Sequence, residues 1–190
     1  GVARVYLAEG RITEDAPEAL NRALAQGAPK WSFLWFSGLV QKQLGEIDLA
    51  INSFQQIVDG GFADAKGRNF HFANDYRLLR ELADTIYLKA LRLRRETQKP
   101  QKLLLLEKSR ELFERTLALD PENADAHYGI RRVFEQLGET QLAEKHDGLH
   151  AKYKMDDNAR DSAIAAARRK YPHANRAAER VVIYELNRDE

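Results

Sequence analysis

A repeat spacing limits what this chain can fold into more than any other feature. The triplet Ala16, Leu20, Ala23 returns 34 positions later as Ala50, Phe54, Ile57. A third copy stands at Ser109, Phe113, Thr116, and a further 34 positions give Ala143, Asp147, His150. A fixed period in the range of roughly 20 to 50 residues marks one supersecondary unit used several times, each copy burying its apolar face on the next. Inside each copy the steps of four and three place the three residues on one side of a helix. Between the second and third copies the step is 59, one period plus 25 inserted residues. The equivalent first-helix residues Leu34 and Leu79 lie 45 apart, which assigns 11 of these to GGFADAKGRNFHFAND, around 60–75. The other 14 are expected to lengthen a helix pair around 90–106, where Pro100 should break a helix.

The remaining sequence agrees with helices. Only five prolines and eleven glycines interrupt 190 residues, and apolar residues between them recur at three-and-four spacing. The one β-branched run, Val181-Val182-Ile183-Tyr184, is flanked by Ala177, Ala178 and Leu186 in helical register, so no sheet is expected. With no cysteine there are no disulfides, thiolate metal sites or cysteine nucleophiles. Thirty basic against twenty-nine acidic residues leave a formal charge of +1, so no global field favours nucleic acid or an anionic surface. The longest apolar run, Leu103 to Leu106, is far short of the roughly 20 residues that span a bilayer, and membrane insertion is not expected. The chain begins Gly-Val-Ala-Arg-Val-Tyr without a methionine or secretory pattern and reads as part of a longer protein, soluble, with cytoplasm and periplasm both open.

Two segments carry a more specific pattern. WSFLWFSGLVQKQLGEIDLAINSFQQIV supplies Leu34, Gly38, Leu44-Gly45, Ala50 and Phe54 in order, and ALDPENADAHYGIRRVFEQLGETQLAEKH supplies Asp120-Pro121, Tyr128, Ile130, Phe134, Leu137-Gly138 and Ala143. This order resembles the tetratricopeptide repeat, a 34-residue helix-turn-helix, over about three and a half copies to roughly Tyr153. The resemblance implies an all-α fold: a right-handed α-α superhelix over 1–153, with 154–190 as a C-terminal helical cap. Asp147 and His150 depart from the pattern, which wants an aromatic and a small residue there, and mark the last copy as terminal.

The resemblance also implies a protein-protein interaction scaffold that binds a peptide or protein on its concave face, the face lined by the first helix of each repeat. The positions on that face are Trp35, Leu39 and Lys42 in the second copy, Arg80, Asp84 and Tyr87 in the third, and Tyr128, Arg132 and Glu135 in the fourth. Aromatics and arginines carry much of the energy at interfaces. The set of lysines and asparagines with which some members hold a partner's C-terminal carboxylate is not reproduced. Self-association through an exposed end of the array is a further expectation. The tail also resembles, faintly, the end of bacterial proteins that join a multihaem cytochrome region to such repeats, so the alternative is an accessory repeat domain of a larger periplasmic redox protein.

No enzyme is expected. There is no GxSxG, phosphate loop or GxGxxG, and the acidic residues are scattered over helix faces. His146 and His150, four apart with Glu144 and Asp147 nearby, have a spacing that zinc can use, but a degenerate terminal helix explains them without metal, and no cofactor is assigned. His71, His127 and His173 are read as solvent-facing or hydrogen-bonded. The basic runs Lys89, Arg92, Arg94, Arg95, Lys99, Lys102 and Arg168, Arg169, Lys170 are read as solvated helix faces, because few aromatics accompany them to stack bases. The aromatic loop with Phe62, Phe70, His71 and Phe72 is expected either to reach the groove or to anchor itself to the array.

Overall fold

The structure, a computed structural model, describes residues 15–67, 69–154, 165–167 and 169–171. The chain divides into two units, Gly1–Tyr153 and Lys154–Glu190. The first contains helices α1 (Asp15–Ala25), α2 (Lys30–Leu44), α3 (Ile47–Asp59), the short α4 (Ala63–Lys66), α5 (Tyr76–Arg92), α6 (Lys99–Leu119), α7 (Ala124–Leu137) and α8 (Thr140–Tyr153), with 3-10 turns at Phe72–Asn74 and Glu96–Gln98. Among the described residues there is no strand. In the second unit 165–167 and 169–170 are helical and Tyr171 is exposed. The expected cap lies largely outside the described residues, as do His173 and the run Val181–Tyr184.

Helices α2, α5 and α7 are first helices, and α3, α6 and α8 are the second helices of the same pairs; α1 is the second helix of the pair before them. The repeat triplets form the seams. Ala50, Phe54, Ile57, Ser109, Phe113 and Thr116 are all buried, as are Ala16 and Leu20. Ala23 is half-buried. Where the interface residue is polar, its hydroxyl is bonded internally: Ser109 Oγ donates to the Ala83 carbonyl at 2.8 Å and Thr116 Oγ1 to that of Leu112 at 2.9 Å. Burial of these hydroxyls therefore leaves no unsatisfied donor.

Two glycines explain the tight pairing. A Cβ on Gly38 would lie 2.6 Å from the Phe54 ring, so only glycine lets α2 approach α3 with that ring in place. Gly45 takes a left-handed conformation, φ 79°, which lets its N–H reach the Lys42 carbonyl at 3.1 Å and the Glu46 N–H reach that of Gln41 at 2.8 Å. These two bonds close the end of α2 as a Schellman motif. Gly138 repeats the motif at the end of α7.

The insertions fold onto the array. Phe62 and Phe72 pack against the main core, with ring centroids 5.6 Å apart, and Arg115 of α6 donates to the Ala73 carbonyl at 2.9 Å. Phe72 also meets Trp31 at 5.3 Å, whereas Phe70 remains 44% exposed. Pro100 does not interrupt a helix. It sits in the first turn of α6, where its missing N–H has no intrahelical partner to lose, and the chain leaves helix earlier, after Arg92.

Candidate partner-binding face

Three first helices meet through a ladder of charges. Lys42 of α2 donates to Glu81 at 2.9 Å and to Asp84 at 2.7 Å, both on α5. The other oxygen of Asp84 accepts from Arg132 of α7. Arg80 bonds Glu81 at 2.8 Å and reaches Asp125 of α7 at 3.2 Å. Lys42, Glu81, Asp84 and Arg132 keep only 14 to 24% of their side chains exposed, so screening is weaker than for an open surface pair. Burial opposes the charge on Lys42, yet the carboxylates of Glu81 and Asp84 more than compensate and raise its pKa. For Asp84, burial acts upward but Lys42 and Arg132 hold the pKa below the ordinary carboxylate value.

Aromatic rings extend the ladder. The Arg132 guanidinium lies between Tyr87 at 4.7 Å and Tyr128 at 4.8 Å, and Arg131 covers Tyr128 at 5.0 Å. Tyr87 is only 5% exposed, so it forms the floor, and burial raises the pKa of its hydroxyl with Arg132 partly opposing. Tyr128 is 41% exposed and presents its ring at the surface. Glu135 is exposed and pairs with Arg131 one turn away at 2.5 Å.

The two remaining expected residues stand at another part of the face. Trp35 packs on Phe54 at 5.6 Å, and Leu39 is half-buried against the core. Trp35, Trp31, Phe72, Ile57 and Leu78 line a pocket of about 200 Å³ with Asp75 and Arg77 at its polar side. Asp75 is the N-cap of α5, its Oδ1 accepting from the N–H groups of Arg77 and Leu78 at 2.9 and 3.3 Å. Of the nine residues read from the sequence, Lys42, Arg80, Asp84, Tyr87, Tyr128, Arg132 and Glu135 therefore belong to one connected network. The sequence reading missed Glu81, Arg131, Trp31, Asp75 and Arg77, and named Phe72 only as part of the aromatic loop. Trp31 carried a usable signal, one helical turn before Trp35; for Phe72 the aromatic character of the loop was legible but its partner was not, because the insertion has no counterpart in the repeat.

The histidines are arranged differently from their spacing. His146 meets His127, Nδ1 to Nδ1 at 2.9 Å, while His127 Nε2 lies 3.0 Å from the Pro121 carbonyl. Since a carbonyl only accepts, His127 donates from Nε2 and its Nδ1 accepts from His146. Burial, then the neighbouring His127 and Lys145, lower the His146 pKa to about 4. His150 bonds the Ala124 carbonyl at 2.8 Å and faces the Tyr128 ring at 5.3 Å. Among the described residues no group of three or more His, Asp or Glu side chains is placed to hold a metal ion, and no helix is long and apolar enough to cross a membrane.

Known proteins agree with this architecture. A family model described as the tetratricopeptide repeat matches residues 2–67 and 105–147, leaving 68–104 unmatched: the second half of the first insertion, α5 and most of the second insertion. Comparison with curated proteins finds no match. Among solved structures, YrrB, a TPR protein with an unusual peptide-binding site, is similar at 16% identity with a TM-score of 0.59, covering 81% of this chain and 66% of YrrB. MamA is similar at 16% identity with a TM-score of 0.56, covering 80% of this chain and 68% of its own. MamA MSR-1 gives 17% identity and a TM-score of 0.54, with 83% and 74% covered. The chain thus spans about two-thirds of the length of the first two, and the likeness is one of fold: a right-handed α-α superhelix of helix pairs.

Proposed function

The chain belongs to the tetratricopeptide repeat family, and from that premise we propose that it is a scaffold that binds a peptide or protein segment across the first-helix face of α2, α5 and α7. The observation that carries this reading is the convergence of seven side chains from these helices on one connected network with an exposed ring, Tyr128, at its surface. The ladder pairs Lys42, Asp84 and Arg132 with one another. Its role in the proposal is to hold the helices at fixed spacing, which lowers the ordering cost of binding. Contact with the partner then falls on Tyr128, on Arg80 and Glu135 of the same network, and on the pocket lined by Trp31 and Trp35. Such a pocket, smaller than the roughly 300 to 1,000 Å³ of a small-molecule site, suits a single bulky side chain.

The protein offers its own reporter, because Trp31 and Trp35 are its only two tryptophans and both line the pocket. A partner recovered by affinity capture on the full chain should shift tryptophan emission saturably. Tyr128→Ala should weaken that binding by roughly tenfold or more, as loss of an interface aromatic does. Unchanged affinity in Tyr128→Ala together with unchanged emission on saturation would place the partner elsewhere on the molecule and refute this reading.

A further inference from the structure

The insertion between α5 and α6 brings the densest basic run of the sequence to one place. Arg94, Arg95, Lys99 and Lys102 surround a pocket of about 360 Å³ whose apolar lining includes Leu91, Leu103 and Leu106. Glu96 is the one acidic residue in the lining, and it is engaged with Lys99 at 3.4 Å. Lys102 bonds a neutral partner, the Gln136 amide oxygen of α7, at 2.9 Å. Arg94 and Arg95 have no ion-pair partner among the described residues. The positive N-terminal end of α6 adds to the same field. In a chain whose formal charge is only +1, this is a local concentration of cations, of which only Lys99 is ion-paired among the described residues.

The site is separate from the face described above. The tryptophan pocket lies beside Arg77 and Leu78 at the start of α5, and the basic pocket beside Leu91 at its end, roughly 20 Å away at 1.5 Å per residue. The repeat pattern does not account for it either, because the family match skips these residues until 105.

We infer that this pocket is a second docking site, for an acidic protein segment carrying an aliphatic side chain among its carboxylates. Charge complementarity sets the sign of the ligand, and the shape sets its kind. Leu91 and the fully buried Leu106 lie behind the cations, with Leu103 46% exposed at the mouth, so the pocket receives a side chain. A flat bilayer surface would meet the charged rim before it met Leu91 or the fully buried Leu106. No aromatic ring lines the pocket, so bases would find phosphate contacts but no stacking surface. Two arginines match carboxylates with planar, two-point geometry.

The test uses the full chain and a fluorescein-labelled peptide, acetyl-Glu-Asp-Leu-Glu-Asp-Glu-amide, followed by fluorescence anisotropy at low and high salt. Binding is expected, weakening as salt rises. The exposed triple variant Arg94→Glu, Arg95→Glu, Lys99→Glu should reduce affinity by about tenfold or more, because three exposed pairs are reversed together. Leu103→Ser should reduce it severalfold, and Tyr128→Ala should leave it unchanged, which keeps this site distinguishable from the first. Circular dichroism of each variant confirms that the fold is retained. Equal affinity in the triple variant would overturn the proposal. So would equal affinity for the peptide with serine in place of leucine, or binding of phosphatidylserine vesicles or a single-stranded oligonucleotide where the acidic peptide does not bind.

Discussion

In α3 the repeat triplet Ala50, Phe54, Ile57 is at most 1% exposed, whereas in α8 only Ala143 of the corresponding Ala143, Asp147, His150 is buried. The two helices pair with their first helices through similar turns, each ended by a left-handed glycine, Gly45 and Gly138. What differs is the material of the seam. Phe54 closes over Gly38 by van der Waals contact. In α8, the contact with α7 runs instead through His146 on His127 and Phe134, and through His150 on Tyr128. A repeat backbone thus tolerates either an apolar or a hydrogen-bonded seam, but the two respond to different perturbations. The apolar one is sensitive to volume, the histidine one to protons.

The largest expected effect is at the apolar seam. Phe54→Ala should destabilise the fold by roughly 3 to 5 kcal/mol in denaturant unfolding, because it removes a fully buried ring whose site is walled by two helices and Trp35. A loss under 1 kcal/mol would mean that α2 and α3 collapse into the space, and that the glycine at 38 is not demanded by the ring.

A smaller effect is expected at the histidine seam, and it depends on pH. His146 has a pKa of about 4 in the folded chain against 6.5 for an unperturbed histidine. Between those values the unfolded chain binds more protons, so the stability contributed by neutral His146 is complete above about pH 6.5 and is lost progressively as pH falls toward 4. Amide hydrogen exchange, corrected for intrinsic rates, should therefore show protection in α8 declining from pH 7 to 5 while protection in α3 holds. A parallel decline in both helices would assign the loss to the whole array and not to this pair.

The two seams also differ in how much of them could be read from the sequence. A period of 34 with steps of four and three located Phe54 and Phe113 because apolar burial leaves a periodic trace. The family resemblance, beyond that arithmetic, placed Tyr128 and Arg132 on one face and marked Asp147 and His150 as departures. It could not show that His146 would bond His127, 19 positions away, because a hydrogen bond between two helices depends on their rotation and leaves no period. Nor could it show that Phe72, in an inserted turn, would complete a pocket with Trp31, since the insertion repeats nothing. Lys42 and Asp84 were assigned to one first-helix face and do meet, but their mutual pairing depended on an inter-helix distance that composition does not encode.

The smallest effect concerns the position where the last copy breaks the pattern. Asp147 stands where Phe54 and Phe113 stand in earlier copies, yet its side chain is 65% exposed, pairing with Arg131 of α7 at 3.4 Å beside an open pocket shared with Glu135 and Glu144. Asp147→Phe restores the family pattern, but what faces it on α7 is Arg131 and not a glycine such as Gly38, at a site largely open to solvent. The loss of one open ion pair and the gain of an exposed ring should nearly cancel, and unfolding midpoints should change by no more than about 0.5 kcal/mol in equivalent stability. Stabilisation by more than about 1 kcal/mol would mean that a further element packs over α8 and buries the new ring, as the cap expected at 154–190 would do. Residue 147 therefore tests, by substitution alone, whether α8 is the end of the stacked core or its next-to-last layer.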